Sequence, residues 1–180
     1  MLDDAELLRR AYELDTDALA AIHDTYYQPL YRYISFRVGD RYTCEDLVSE
    51  VFTRFLSTLR QRKSLPNNLR GWLFGVAANV VSDHFRRSYR SPQTSLDEQL
   101  MSREPLPSEI AEKAATNEEL RLAISQLTPD QQHVLALRFA QNLPIQEVAR
   151  ILGKTEGAVK QLQARAIAAL ARQMTPGVVE

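Results

Sequence analysis

Apolar residues recur along this chain at intervals of three and four, and the recurrence fails in the middle before it resumes. That interval is the period of an amphipathic helix, so the pattern predicts helices in two groups with a gap between them. Leu19, Ile22, Tyr26, Leu30, Tyr33 and Ile34 mark the first over residues 17–38, with Pro29 placed to kink it. Thr43 followed by Asp46 resembles a capping box, and Leu47, Val48, Val51, Phe52, Phe55, Leu56 and Leu59 carry a second stripe to about residue 60. Residues 61–68 break the pattern with Pro66, Asn67 and Asn68 and read as a basic loop. A third helix runs from Leu69 to about Arg87, burying Leu69, Leu73, Val76, Ala77, Val80 and Val81 in a core shared with the other two.

From Ser91 to Thr116 apolar residues are sparse and Pro92, Pro105 and Pro107 intervene. A stretch of this length is too long for an ordinary internal loop and reads as a flexible linker between domains at 1–90 and 117–175. Beyond it the helical period returns at 117–126, 129–140, 144–152 and 156–172. The punctuation is explicit: Thr128 precedes Pro129 with Gln131 three residues on, Asn142 and Gly153 suit helix ends, and Thr155 suits a cap. No strand-like alternation competes, so the fold class is all-α, two small helical domains joined by a linker. With 180 residues, 44% of them hydrophobic, two modest cores are within reach.

Several chemistries find no residues to perform them. Cys44 is the single cysteine, and His23, His84 and His133 lie far apart without ligand spacing, so neither a disulfide framework nor a metal site is expected. The six glycines form no phosphate-cradling motif, and no nucleophile constellation is present, so neither a cofactor nor catalysis is expected. No apolar run is long enough to cross a bilayer, and the opening Met1 to Asp4 is unlike a signal peptide, which points to the cytoplasm without membrane insertion.

Charge is distributed unevenly. The formal net charge is -1, but residues 1–60 hold seven Lys/Arg against eleven Asp/Glu, whereas residues 61–90 hold six, Arg62, Lys63, Arg70, Arg86, Arg87 and Arg90, against Asp83 alone. An acidic stretch beside a basic one fits a protein with both basic and acidic partners, as well as ordinary solvated helix faces. Within the basic stretch Trp72 and Asn79 are seven residues apart on one helix face, an aromatic and an amide suited to holding an unpaired base, although Trp72 fits a simple core position as well. Between Pro144 and Gln163 the spacing of Ala149, Gly153, Val159 and Leu162 is that of a helix-turn-helix: a small residue at the crossing, a glycine for the turn, and two apolar residues packing the second helix back. That second helix would turn Lys160, Gln161, Ala164 and Arg165 toward a major groove, and backbone amides near Thr155 toward a phosphate. These features alone fit a stand-alone helix-turn-helix regulator or a helical adaptor as well as a polymerase-associated factor.

Four motifs taken in order narrow the choice. Tyr27 to Tyr33, Cys44 to Phe52, Leu69 to Asn79, and Leu127 through Ala169 resemble, in sequence and spacing, the sigma-2 and sigma-4 domains of extracytoplasmic-function sigma factors. The resemblance implies that Glu45, Asp46, Ser49 and Glu50 contact the clamp helices of the polymerase β′ subunit. It implies that Arg62, Lys63, Asn67, Asn68, Trp72, Asn79, Asp83, Arg86 and Arg87 read and melt the promoter minus-ten element. Thr155, Gly157, Lys160, Gln161, Ala164 and Arg165 would read the minus-thirty-five element while their domain docks on the β flap. An anti-sigma factor is a further implied partner. Ser49 stands where the family often carries Gln, and Leu162-Gln163 replaces a common Arg-Leu.

Overall fold

The computed structural model describes residues 3–65, 68–90 and 108–174, and every regular element among them is helical. It opens with a helix that the periodicity passes over. α1, Asp4–Tyr12, carries Asp4 and Glu6 in its first turn and Arg9 and Arg10 in its last, the order that the helix dipole favours. At nine residues it is too short to persist alone. It survives by burying Leu7, Leu8 and Ala11 against α2, Thr16–Ser35, whose Tyr26 hydroxyl donates to Asp4 Oδ2 at 2.7 Å.

α2 is capped by Asp15 Oδ1, which accepts from the backbone of Asp17 and Ala18, and it continues through Pro29 as one element. Its buried side chains include Ile22, Tyr26, Leu30, Tyr33 and Ile34, the stripe expected from the sequence. α3, Arg41–Arg60, begins earlier than the Thr43 capping box implied. Asp40 is the cap: its Oδ2 accepts from Thr43 N at 2.8 Å and from the Thr43 hydroxyl at 2.7 Å. A short carboxylate just before the first turn reaches those amides directly, leaving Thr43 inside the helix as a donor. α4, Leu69–Arg90, buries Leu69, Leu73, Phe74, Ala77, Val80 and Val81 against α2 and α3.

The second unit starts inside the span expected to be linker, since α5, Ser108–Ser125, already includes residues up to Thr116. Residues 91–107 lie outside the described ones. α6, Pro129–Leu135, begins with the expected reciprocal cap: Gln131 N donates to Thr128 Oγ1 at 3.3 Å and Thr128 N to Gln131 Oε1 at 3.0 Å. It runs into a π-helical turn, Ala136–Ala140, and α7, Ile145–Leu152, follows. Gly153 then turns the chain with φ 63° and ψ 35°, a left-handed conformation in which a Cβ is strained, and α8, Glu156–Met174, closes the unit.

Nothing in the local periodicity announces how the two units meet. One buried apolar cluster runs through both, joining Leu73 and Phe74 to Val134, Leu137, Val148 and Val159. α4 packs on α7, and α2 reaches the π-helical turn. Polar groups stitch the seam: Tyr33 Oη and His133 Nδ1 share a hydrogen bond at 2.5 Å, Gln141 Nε2 donates to Pro29 O at 2.7 Å, and Arg70 lies 3.7 Å from Glu147. The Tyr33 ring meets Phe74 edge-on at 5.4 Å and stacks on His133 at 6.1 Å. Arg37 sits at the same seam with its guanidinium 5.4 Å from the Phe85 ring centroid, and its Nε and Nη1 are buried without a hydrogen-bond partner.

His133, 7% exposed, is therefore held neutral. Burial, helped by the Arg37 charge and opposed by Asp130, pushes its pKa down to about 4. A group whose folded pKa is depressed in this way takes up its proton in the unfolded chain first. Its stabilising contribution is full above about pH 6.5 and declines by about 1.4 kcal/mol per pH unit down to about pH 4. Urea denaturation of the wild type and His133→Gln should converge over that interval, the wild type losing stability more steeply; parallel curves would refute the assignment.

Candidate nucleic-acid and polymerase interfaces

Packing decides which side of α4 looks outward. With its apolar residues turned to α2 and α3, Asn79, Arg86, Arg87 and Arg90 remain exposed. Trp72 is half-buried, its ring tilted on Phe55 with centroids 5.8 Å apart, so the side chain packs on the core and keeps an edge at the surface. Its accessible edge shares a helix face with Asn79, two turns along. Asp83 is half-buried and already engaged, accepting from Arg86 and lying 3.5 Å from Arg54 Nη2.

The loop before α4 has a defined start and end. Arg62 adopts φ 48°, its N–H donates to Leu59 O at 3.0 Å, and the Lys63 N–H donates to Thr58 O at 3.2 Å. This pattern satisfies the last carbonyls of α3 through a left-handed residue that is here not glycine. Arg62 and Lys63 are consequently exposed. Asn68, expected to read nucleic acid, spends its side-chain oxygen on α4, accepting from Gly71 N at 2.9 Å. Glycine at 71 permits that approach, since a Cβ there would meet Asn68 Nδ2 at 2.7 Å. Asn67 lies outside the described residues.

On α3 the acidic residues separate into two sets. Asp46 and Ser49 face solvent, Ser49 Oγ donating to Glu45 O at 2.9 Å, while Glu45 holds Arg41 at 2.9 Å. Glu50 turns toward α4, with Arg54 at 2.5 Å and Arg87 at 3.7 Å. Glu50, Arg54, Asp83, Arg86, Arg87 and Arg90 together line a cleft of about 350 Å³. The expected polymerase-contacting helix and the expected minus-ten helix are thus bridged by ion pairs centred on Arg54, a residue that the sequence motifs do not single out. Nor do they single out Tyr42, 75% exposed, while Leu56, read from the sequence as part of the apolar stripe, is 38% exposed on the Asp46–Ser49 side of α3. For Tyr42 the spacing from Asp46 was the available signal, since residues four apart share a helix face. Cys44, on the opposite face, donates its thiol to Val38 O at 3.2 Å, and burial pushes its pKa up to about 11, which leaves it unreactive.

The helix-turn-helix has the geometry its spacing implied. Ala149 is buried where α7 meets α8, Val159 and Ala166 fix α8 from below, and Leu162 is half-buried. Thr155, Gly157, Lys160, Gln161, Ala164 and Arg165 are all exposed on the outer face. Thr155 Oγ1 accepts from Ala158 N at 3.1 Å, capping the first turn. Gln163, one of the departures from the family pattern, points inward and accepts from Arg138 Nε at 3.0 Å.

Family comparisons agree with this layout. A model described as sigma-70 region 2 matches residues 22–91, and one described as sigma-70 region 4 matches residues 123–172. The chain is 38% identical over 169 residues to the ECF RNA polymerase sigma factor BldN of Streptomyces coelicolor, spanning 93% of this chain and 64%, just under two thirds, of that protein. It is 32% identical over 159 residues to the ECF RNA polymerase sigma factor SigX of Bacillus subtilis, spanning 85% and 81%. The fold is shared with CnrH, solved with the cytosolic domain of CnrY, at TM-score 0.68 and 19% identity over 94% of this chain and 95% of that one. A region 2 match on the first helical unit and a region 4 match on the second define a sigma-70-type initiation factor. The chain belongs to the extracytoplasmic-function sigma factors, which carry no catalysis of their own and direct core RNA polymerase to promoters.

Arg54 offers a check on the ion-pair bridge. Arg54→Ala leaves Glu50 and Asp83 without their shared cation. The pairs are more than a third exposed on the Arg54 side, so the expected loss is about 1 kcal/mol and should shrink in high salt. Denaturation at low and high ionic strength measures it; a salt-independent loss would point to packing instead.

Proposed function

We propose that the exposed face of α4 and the loop preceding it hold the opened non-template strand of the minus-ten element, while α8 reads the minus-thirty-five duplex. What carries this reading is the pairing, on one chain, of an outward face bearing Asn79, Arg86 and Arg87 with the exposed row Lys160, Gln161, Ala164 and Arg165. Unstacking a base costs a few kcal/mol, so capture needs both a planar surface and a positively charged track. The accessible edge of Trp72 and Asn79 supply the first, and Arg62, Lys63, Arg86 and Arg87 the second. On α8, Lys160, Gln161 and Arg165 bring donors suited to base edges and phosphates, and the capped start of the helix favours a phosphate near Thr155 and Gly157.

The outer face of α3, with Asp46, Ser49 and Glu45 flanked by Tyr42 and Leu56, docks on the β′ clamp helices in this reading. A rim of acid around exposed apolar and aromatic groups is a composition suited to such an interface. The second unit docks on the β flap. Family membership extends the reading to a cytoplasmic setting and to an anti-sigma factor that competes for these surfaces. No helix among the described residues is long and apolar enough to cross a membrane.

Retention on immobilised core polymerase followed by run-off transcription from a fork-junction promoter tests the proposal. Asn79→Ala should reduce open-complex formation while core retention stays at the wild-type level. Lys160→Ala and Arg165→Ala should each weaken promoter binding by about 1–3 kcal/mol where the side chain meets a base edge. Failure to associate with core, or tight binding to a symmetric operator without polymerase, would overturn the reading in favour of a stand-alone regulator.

A further inference from the structure

The hydroxyl of Tyr12, at the end of α1, sits between two backbone groups of the loop joining α3 to α4. It accepts from the Leu65 N–H at 2.6 Å and donates to Lys63 O at 3.0 Å. A phenol has one proton to give and lone pairs to receive with, and here both capacities are used on the same three-residue stretch. The contacts span 51 and 53 positions of sequence, so they are tertiary. Arg9 and Tyr12 on one side and Arg62 and Ser64 on the other line a common cleft, and the Leu65 side chain is buried beneath it.

The loop's start is set by the left-handed Arg62 and its end by the Asn68 cap. Between them Lys63 and Ser64 are exposed, with no burial of their own to hold them. We propose that Tyr12 is a positioning residue for base selection: by pinning the Lys63–Leu65 backbone it holds those three residues in the conformation that meets the captured base. The inference rests on the minus-ten reading above and deepens it. A loop ordered before binding loses less conformational freedom when the strand arrives, and it rejects bases that would require it to move. Without the hydroxyl, Leu65 N–H and Lys63 O turn to water, and the loop samples other conformations while α1 stays packed through Leu7, Leu8 and Ala11.

The test uses the full chain carrying Tyr12→Phe, which keeps the ring and removes both hydrogen bonds, assembled with core polymerase on fork-junction probes that differ at the exposed minus-ten bases. Asn79→Ala is measured beside it. Tyr12→Phe should retain core normally, narrow the discrimination between preferred and other bases by about three- to tenfold, and speed hydrogen exchange at the Leu65 amide in the free protein. If Asn79→Ala alters base preference and Tyr12→Phe does not, the positioning role is overturned and the minus-ten reading stands. If neither alters it, both fall. An equal loss of activity on every probe, with Leu65 exchange unchanged, would mark Tyr12 as merely structural and overturn the proposal.

Discussion

Burial of one side of α4 is the constraint on which the other features depend. Leu69, Leu73, Phe74, Ala77, Val80 and Val81 are all removed from water against α2 and α3, and truncating a side chain such as Phe74 would cost about 3–5 kcal/mol. Once that face is committed, the rotation of the helix is fixed, and Asn79, Arg86, Arg87 and Arg90 have nowhere to point but outward. The same packing sets Trp72 on Phe55, so one aromatic serves both the core and the surface. In the proposed reading this face is the platform that meets a base pulled from its stack, and such a base must find groups already in position.

Around that platform specific devices start or end several helices. Arg62 in the left-handed region turns α3 into the loop, Asn68 caps α4, and Gly153 lets α7 fold back so that Thr155 can start α8. The ion pairs through Arg54 tie α3 to α4. Individually such exposed or half-exposed pairs contribute little. Their shared geometry couples the two surfaces that the proposed reading assigns to polymerase and to promoter DNA.

The seam between the units is built differently. It combines apolar contact, which favours closure, with polar groups that closure handles poorly. His133 is kept neutral, and the Nε and Nη1 of Arg37 lack partners. Burying a cation without a full set of acceptors costs free energy that the surrounding apolar contacts must offset. Closure therefore combines favourable packing with a built-in penalty, and acid works against it because the unfolded chain takes up the His133 proton that the seam refuses.

Spacing and residue type alone establish the helical class, the stripes of α2, α3, α4 and α8, the capping box at Thr128, the turn at Gly153 and the outward row on α8. These are local properties: a helix declares its buried face through spacing over three or four residues, and caps through residue type. The same signals misplace the start of α3, pointing to Thr43 rather than Asp40, and they pass over α1, whose short stripe holds only in contact with α2. Packing in three dimensions settles that Trp72 leans on Phe55, that Asn68 serves its own helix, that Arg54 joins Glu50 to Asp83, and that Tyr12 reaches the loop. Tyr33 and His133 stand 100 positions apart and Pro29 and Gln141 112. Pairings over such distances follow from how whole helices stack, which no local period encodes.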